Sequence, residues 1–230
     1  MNWSFGRSSE PRRSRLARSA PSGPLQDYLN TPLPAPASPL DQVRLLALDL
    51  ETTGLDPARD QILSIGFVPV DGVAIALGGA GQLLVRPTTQ VGESARFHGL
   101  TDDALTTGVG LPEALAATLA ALSGRVLLAH HAAIETGFLG RACRDIYQAS
   151  VHFAVVDTMA LQFALLSRGF DDEPPQGSLR LWAARGQYGL PHYAAHEALT
   201  DALACAELYL AQIAELQAGR SLTLKAVLSA

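Results

Sequence analysis

The sequence predicts an α/β domain: a mixed five-stranded sheet with helices on its faces. Three observations predict it. Residues 43–50 form a near-continuous apolar run of strand length, the pattern of a strand covered on both faces. Residues 61–70 and 73–86 continue as strands, with Asp71-Gly72 as the hairpin signal between them. From residue 111 onward, helical and strand patterns alternate. A meander followed by α-β-α-β-α requires both antiparallel and parallel pairing.

In order, Asp56-Pro57 and Asp60 mark the turn after the first strand. The third strand has room for a bulge at Gly78-Gly79. Residues 111–123 read as a helix, 125–129 as a strand, 134–147 as a helix and 151–156 as a strand. Helices follow at about 158–168, 178–187 and 200–217. Residues 1–40 read as a flexible Arg/Ser/Pro-rich arm, broken by prolines at 32, 34, 36 and 39, and residues 41–230 as the folded domain.

With 230 residues, 48% of them apolar, the chain is ample for one domain and short for two. No apolar run approaches the roughly 18–20 residues of a membrane span. The Arg-rich start lacks an apolar segment of the secretory kind and sustains no amphipathic pattern of the organelle-targeting kind. Cys143 and Cys205 lie apart in apolar helical stretches, as free thiols of a reducing compartment, the cytoplasm. Charge is uneven: residues 1–25 carry five arginines against Glu10, a balance of +4, and the remainder carries −9. An acidic body argues against a broad phosphate-gripping face and suits local substrate contact bridged by cations.

Three groups of residues carry chemistry. In Asp49-Leu50-Glu51-Thr52-Thr53-Gly54 the two acids are two apart, so a strand points both to one face. At the end of an apolar strand, two such charges repel unless a cation lies between them. Thr-Thr-Gly then offers a tight turn with amides and hydroxyls for a phosphate or sugar. In His130-His131-Ala132-Ala133-Ile134-Glu135, directly after a strand, Glu135 falls in the first turn of a helix, where negative charge is tolerated. The two histidines read as satisfied structural residues. In His196-Glu197-Ala198-Leu199-Thr200-Asp201 the histidine and aspartate would diverge by about 140° on one helix. His196 therefore belongs to the preceding loop, as a candidate general base, and Asp201 to the helix. Asp157, between a strand and a helix, reads as an N-cap.

Asp-x-Glu-Thr-Thr-Gly, then His-x4-Glu-x2-Phe-Leu, then His-x4-Asp resembles the DEDDh exonucleases, the family of the bacterial replicative proofreading subunit. The resemblance covers residues 45–210 and takes in Phe97-His98-Gly99-Leu100-Thr101 and the helix before His196. It implies an RNase H-like fold, two Mg²⁺ or Mn²⁺ ions, and 3′→5′ release of 5′-mononucleotides from a nucleic acid, DNA favoured. Carried over by position, Asp49, Glu51, Glu135 and Asp201 are the metal carboxylates and His196 the base. Thr52, Thr53, Gly54 and Leu55 surround the terminal nucleotide, with His98 near its phosphate. Two positions depart from the family: Glu135 stands where Asp is usual, and His131 where Asn is usual. Two alternatives follow, a catalytically weak exonuclease-fold binding or regulatory module and an exoribonuclease.

Overall fold

A computed structural model describes residues 10–88, 102–167, 174–194 and 196–229. Among these residues six strands form one mixed sheet: β1 Arg44–Thr52, β2 Ile62–Asp71, β3 Ala74–Ile75, β4 Gly81–Leu84, β5 Val126–Ala129 and β6 Val155–Asp157. The order is β3-β2-β1-β5-β6, with β4 also on β2. Strand β1 runs antiparallel to β2 and parallel to β5, which is parallel to β6.

The meander and the parallel half agree with the sequence pattern, but residues 73–86 make two strands instead of one. Ala76 donates its amide to Pro69 O, and a 3-10 turn at Leu77–Gly79 separates β3 from β4. Pro69 has no N–H to extend that ladder, so pairing on this edge of β2 breaks beside it.

The helices are α1 Glu10–Ser19, α2 Pro24–Asn30, α3 Asp102–Thr106, α4 Leu111–Leu122, α5 Ala133–Tyr147, α6 Thr158–Leu166, α7 Leu181–Gln187 and α8 Ala198–Gln217. Strand alternation divides the core in two. Leu46, Leu48 and Leu50 pack with α2, α4 and α5 on one face. Leu45 and Ala47 pack on the other with Ala202, Cys205, Ala206 and Tyr209 of α8. This double cover explains the unbroken apolar run of β1.

The expected flexible arm is corrected over residues 10–40. Helices α1 and α2 fold against the domain, and Ala17, Ala20, Leu25, Tyr28 and Leu29 are buried in its core. Arg13 is fully buried; its guanidinium donates to Tyr28 O (2.6 Å), Thr31 O and His152 O (both 3.2 Å) and lies 4.5 Å from the Tyr28 ring centroid. The proline-rich connection then pairs with the C-terminal segment through Lys225 N to Pro36 O and Leu224 N to Ser38 O. The arm's polar composition hides a sparse set of apolar contacts. With its two terminal nitrogens bonded to carbonyls and a ring face beside it, the arginine lies in the core although its Nε has no partner among the described residues.

Candidate active site

Asp49 and Glu51 occupy the same face of β1 as Leu45 and Ala47, the face that α8 covers. A register irregularity follows between Glu51 and Thr52 and ends the regular ladder at the acidic pair. Gly66 of β2 lies opposite Asp49. A Cβ on Gly66 would coincide with the backbone of Ala198 and Leu199, so the bare glycine lets the start of α8 descend onto the sheet. Asp201, in the first turn of α8, thereby reaches the β1 pair. Carboxylate oxygens of Asp49, Glu51 and Asp201 lie within 4.8 Å of one another.

Glu135 comes from the first turn of α5 and is only 3% exposed. It stands outside that trio but near enough to be the strongest charge acting on Asp49. Burial, reinforced by neighbouring carboxylates, raises the pKa of all four acids. Burial and then Glu135, Asp201 and Glu51 lift Asp49 well above the usual carboxylate range. Glu51 rises to about 7 through burial and Asp201, and Glu135 to about 8 through burial and the charge of Asp157. Asp201 also rises by burial, partly offset by the backbone N–H and ring of His196. Without cations, such a cluster retains protons near neutrality.

Oε2 of Glu135 and Oδ1 of Asp201 are buried with no hydrogen-bond donor among the described residues. Buried acceptors of this kind are costly unless something electropositive meets them. An all-oxygen set of clustered carboxylates fits a hard divalent cation such as Mg²⁺ or Mn²⁺.

His196 lies outside α8, exposed, in the loop position expected from the spacing. Its φ is 72°, and its backbone N–H donates to Oδ2 of Asp201 over 3.1 Å. Of the turn residues, Leu55 is 76% exposed. The threonine hydroxyls are engaged within the turn: Thr52 donates to Gly54 O (2.6 Å), and Thr53 donates to Asp60 (3.1 Å) while accepting from Gln61 N (3.0 Å). They shape the turn rather than standing open to a ligand. His98 and its segment lie outside the described residues.

His130 is structural. Leu179 O only accepts, so Nε2 carries the hydrogen and donates to it (2.8 Å), while Nδ1 accepts from the Thr158 hydroxyl (2.8 Å). Burial lowers its pKa to about 4, keeping the ring neutral. Asp157 caps α6 as expected, accepting from Met159 N and Ala160 N. It also accepts from His131 N and Ala132 N, both at 3.0 Å, a contact with no sequence signal.

Two further positioning features escape the motif pattern. Gly66 does carry a signal, a glycine inside an apolar strand, which marks close backbone approach. Arg185 carries none. Buried on α7, it pairs with Glu207 (2.8 Å), donates to Ala204 O (2.7 Å) and Pro191 O (2.8 Å), and lies against the rings of Trp182 and Tyr193. It ties α7, α8 and the loop leading to His196 together.

The sequence pattern of the exonuclease family (RNase T) matches residues 46–209. The epsilon subunit of DNA polymerase III from Treponema pallidum is 30% identical over 176 residues, 76% of this chain and 78% of that protein. A PolC-type DNA polymerase III from Thermotoga maritima is 29% identical over 166 residues, 72% of this chain. The match spans only 11% of that polymerase's length. An oligoribonuclease from Tropheryma whipplei is 27% identical over 131 residues, 51% of this chain and 70% of that one. Among solved structures, the nuclease domain of 3′hExo, a DEDDh family member bound to rAMP, superposes with a TM-score of 0.63 at 14% identity, covering 76% of this chain and 93% of that one. Exonuclease I of E. coli with a dT13 oligonucleotide gives 0.61 at 18%, covering 78% and 42%. Pattern and relatives agree, and the fold matches that of a DEDDh member: the chain belongs to the RNase T exonuclease family.

Proposed function

We propose that this protein removes nucleotides from the 3′ end of a nucleic acid, single-stranded or frayed and DNA rather than RNA, releasing 5′-mononucleotides. The observation that carries this is the acidic cluster: three carboxylates within 4.8 Å, with buried oxygens on Glu135 and Asp201 that have no partner among the described residues. Asp49, Glu51, Glu135 and Asp201 would hold two Mg²⁺ or Mn²⁺ ions. About four negative charges then meet about four positive ones, and the site accepts an anionic phosphodiester. When bound, paired divalent ions stabilise the attacking and departing oxygens of an in-line displacement.

The chain's own residues supply the rest. His196 takes the proton from the attacking water, from a loop that Asp201 holds by the backbone. The turn at Thr52, Thr53, Gly54 and Leu55 surrounds the terminal nucleotide, with the exposed Leu55 side chain against its base. His98 acts near the phosphate.

The preference for DNA is supported by the polymerase III relatives. The oligoribonuclease relative favours RNA as the second reading. The pairing of free thiols with these relatives suits a cytoplasmic role in DNA repair.

A digestion panel tests this: 5′-labelled single-stranded DNA, duplex DNA and RNA, each with Mg²⁺, Mn²⁺ or EDTA. The expected result is a ladder shortening from the 3′ end of single-stranded DNA, abolished by EDTA. Binding without cleavage would overturn the enzymatic reading, and faster RNA digestion would overturn the DNA preference.

A further inference from the structure

We infer that Asp157 is a positioning residue for Glu135, acting through the left-handed turn at His131. The inference rests on the proposed metal-binding role of Glu135. An N-cap side chain ordinarily satisfies one or two amides of its own helix. Asp157 satisfies four amides from two elements. Its Oδ1 accepts from Met159 N (2.9 Å) and Ala160 N (3.4 Å) at the start of α6, and from His131 N (3.0 Å). Its Oδ2 accepts from Ala132 N (3.0 Å).

The second pair falls where the chain needs external support. His131 has φ 69°, a left-handed conformation that strains a residue bearing a Cβ. Ala132 occupies the N-cap position of α5 and has no side chain able to cap it. The helix that presents Glu135 therefore starts without a cap of its own, from a strained corner. The carboxylate of Asp157, at the end of β6, holds that corner from the neighbouring strand. Glu135 follows Ala132 by three residues in the first helical turn, so its carboxylate inherits whatever orientation the corner has. Charge-assisted bonds from backbone amides are stronger than neutral ones, which suits a single side chain to fixing two chain segments. The same geometry explains why an asparagine would serve at position 131: Asn, like His, is among the residues that tolerate the left-handed region.

The test separates clamping from capping. Asp157→Ser keeps a good cap for α6 but cannot also reach the His131 and Ala132 amides. His131→Gly adopts the left-handed turn without help. The measurements are the Mn²⁺ concentration for half-maximal cleavage of a single-stranded oligodeoxynucleotide, its kcat and KM, and Tm in EDTA. For Asp157→Ser the Mn²⁺ midpoint should rise roughly 10-fold or more, as for lost support behind a metal ligand. Its kcat should fall, with KM changed less than about two-fold. Adding His131→Gly should recover most of the midpoint. In a Glu135→Gln background, Asp157→Ser should shift the midpoint little further.

A lower Tm with an unchanged midpoint would show a cap only and overturn the inference. So would failure of His131→Gly to restore the midpoint, or an equal Asp157→Ser effect in the Glu135→Gln background. If Asp157→Ser does not fold, Asp157→Asn takes its place, with the same outcomes deciding. Glu135→Gln alone tests the underlying role: full activity there removes Glu135 from the site, whatever Asp157 does.

Discussion

His196 donates its backbone N–H to Oδ2 of Asp201 over 3.1 Å. The carboxylate that faces Asp49 and Glu51 therefore also fixes the loop that carries the candidate base, while its Oδ1 stays buried and open to a cation. Because the anchor is the backbone amide, replacing the His196 side chain leaves it in place. His196→Asn tolerates the left-handed φ of 72° and removes the imidazole. Its rate should fall roughly 10²–10⁴-fold, the usual worth of a general base. The Mn²⁺ midpoint should stay within about three-fold of the parent. A joint collapse of rate and metal binding would make His196 a ligand or a structural residue instead.

The acidic cluster makes the stability of the metal-free protein depend on pH. Folding raises Glu51 to about 7 and Glu135 to about 8, chiefly by burial. The folded state thus holds more protons than the unfolded one between the ordinary carboxylate range and pH 8. Stability must fall as pH rises through that window. For Glu135 alone the effect is on the order of a few kcal/mol, since each tenfold change in proton affinity is worth about 1.4 kcal/mol. Tm in EDTA should therefore be higher at pH 5 than at pH 8.5. Excess Mg²⁺ should reverse most of the loss at pH 8.5, since cations bind the deprotonated acids. Scanning calorimetry across pH, with and without Mg²⁺, checks both. A flat EDTA profile would show that burial does not raise these acids in the folded state.

Much of this site is legible from sequence because its chemistry is written in short-range spacing. Asp49 and Glu51 obey the two-residue strand period, and the five-residue separation of His196 and Asp201 excludes a shared helix face. Both placements are seen. What spacing does not reveal are contacts across elements. Asp157 reads as a cap, yet half of its hydrogen bonds go to a loop about 25 residues away in sequence. Arg185 gives no local sign of its burial against two aromatic rings. Residues 10–30 fail for another reason. Composition suggests disorder, whereas a few apolar side chains and one arginine bonded to three carbonyls are enough to fold them against an existing core.

Gly66 should be intolerant of even one methyl group. The clash of an added Cβ is with the backbone of Ala198 and Leu199, which no rotamer change relieves. Gly66→Ala must push the start of α8 away from β2 and carry Asp201 away from Asp49. Overpacking of this kind costs about 1–3 kcal/mol. Catalysis should suffer more, because a displacement of about 1 Å can cost 10²-fold in rate. Urea melts and cleavage rates of a purified Gly66→Ala variant provide the check. Parent-like activity would mean that α8 does not need this close approach.

Arg13 fastens the N-terminal helices. Its guanidinium serves three carbonyls and one ring face, with no carboxylate among those contacts. Arg13→Ala leaves these acceptors without their donor, at a cost on the order of 2–4 kcal/mol from several lost charge-assisted bonds. Trypsin should then cleave at Arg12, Arg15 or Arg18 far faster than in the parent, while the catalytic rate at 25 °C changes little. Equal proteolysis of both proteins would show that the arm is released without needing to break the Arg13 contacts.

Glu135 tests where this chain departs from the Asp of its family. Its carboxylate is buried, with Oε2 lacking a donor among the described residues, and it supplies the strongest charge acting on Asp49. Glu135→Gln keeps the size and removes the charge, leaving about three negative charges against two divalent ions. One ion should bind weakly, and the rate should fall about 100-fold or more, with partial rescue by excess Mn²⁺. Glu135→Asp keeps the charge and withdraws the carboxylate by about one C–C bond, while metal–ligand distances tolerate only about ±0.2 Å. Because the start of α5 is pinned through His131 and Ala132, the helix cannot readily advance to recover that length. Glu135→Asp should therefore also lose activity, though less than Glu135→Gln. If the chain were instead a weakened family member, Asp would raise its activity and Gln would leave it unchanged. Nuclease rates of the two variants beside the parent separate these cases. A parent no faster than its Gln variant would remove Glu135 from the catalytic machinery.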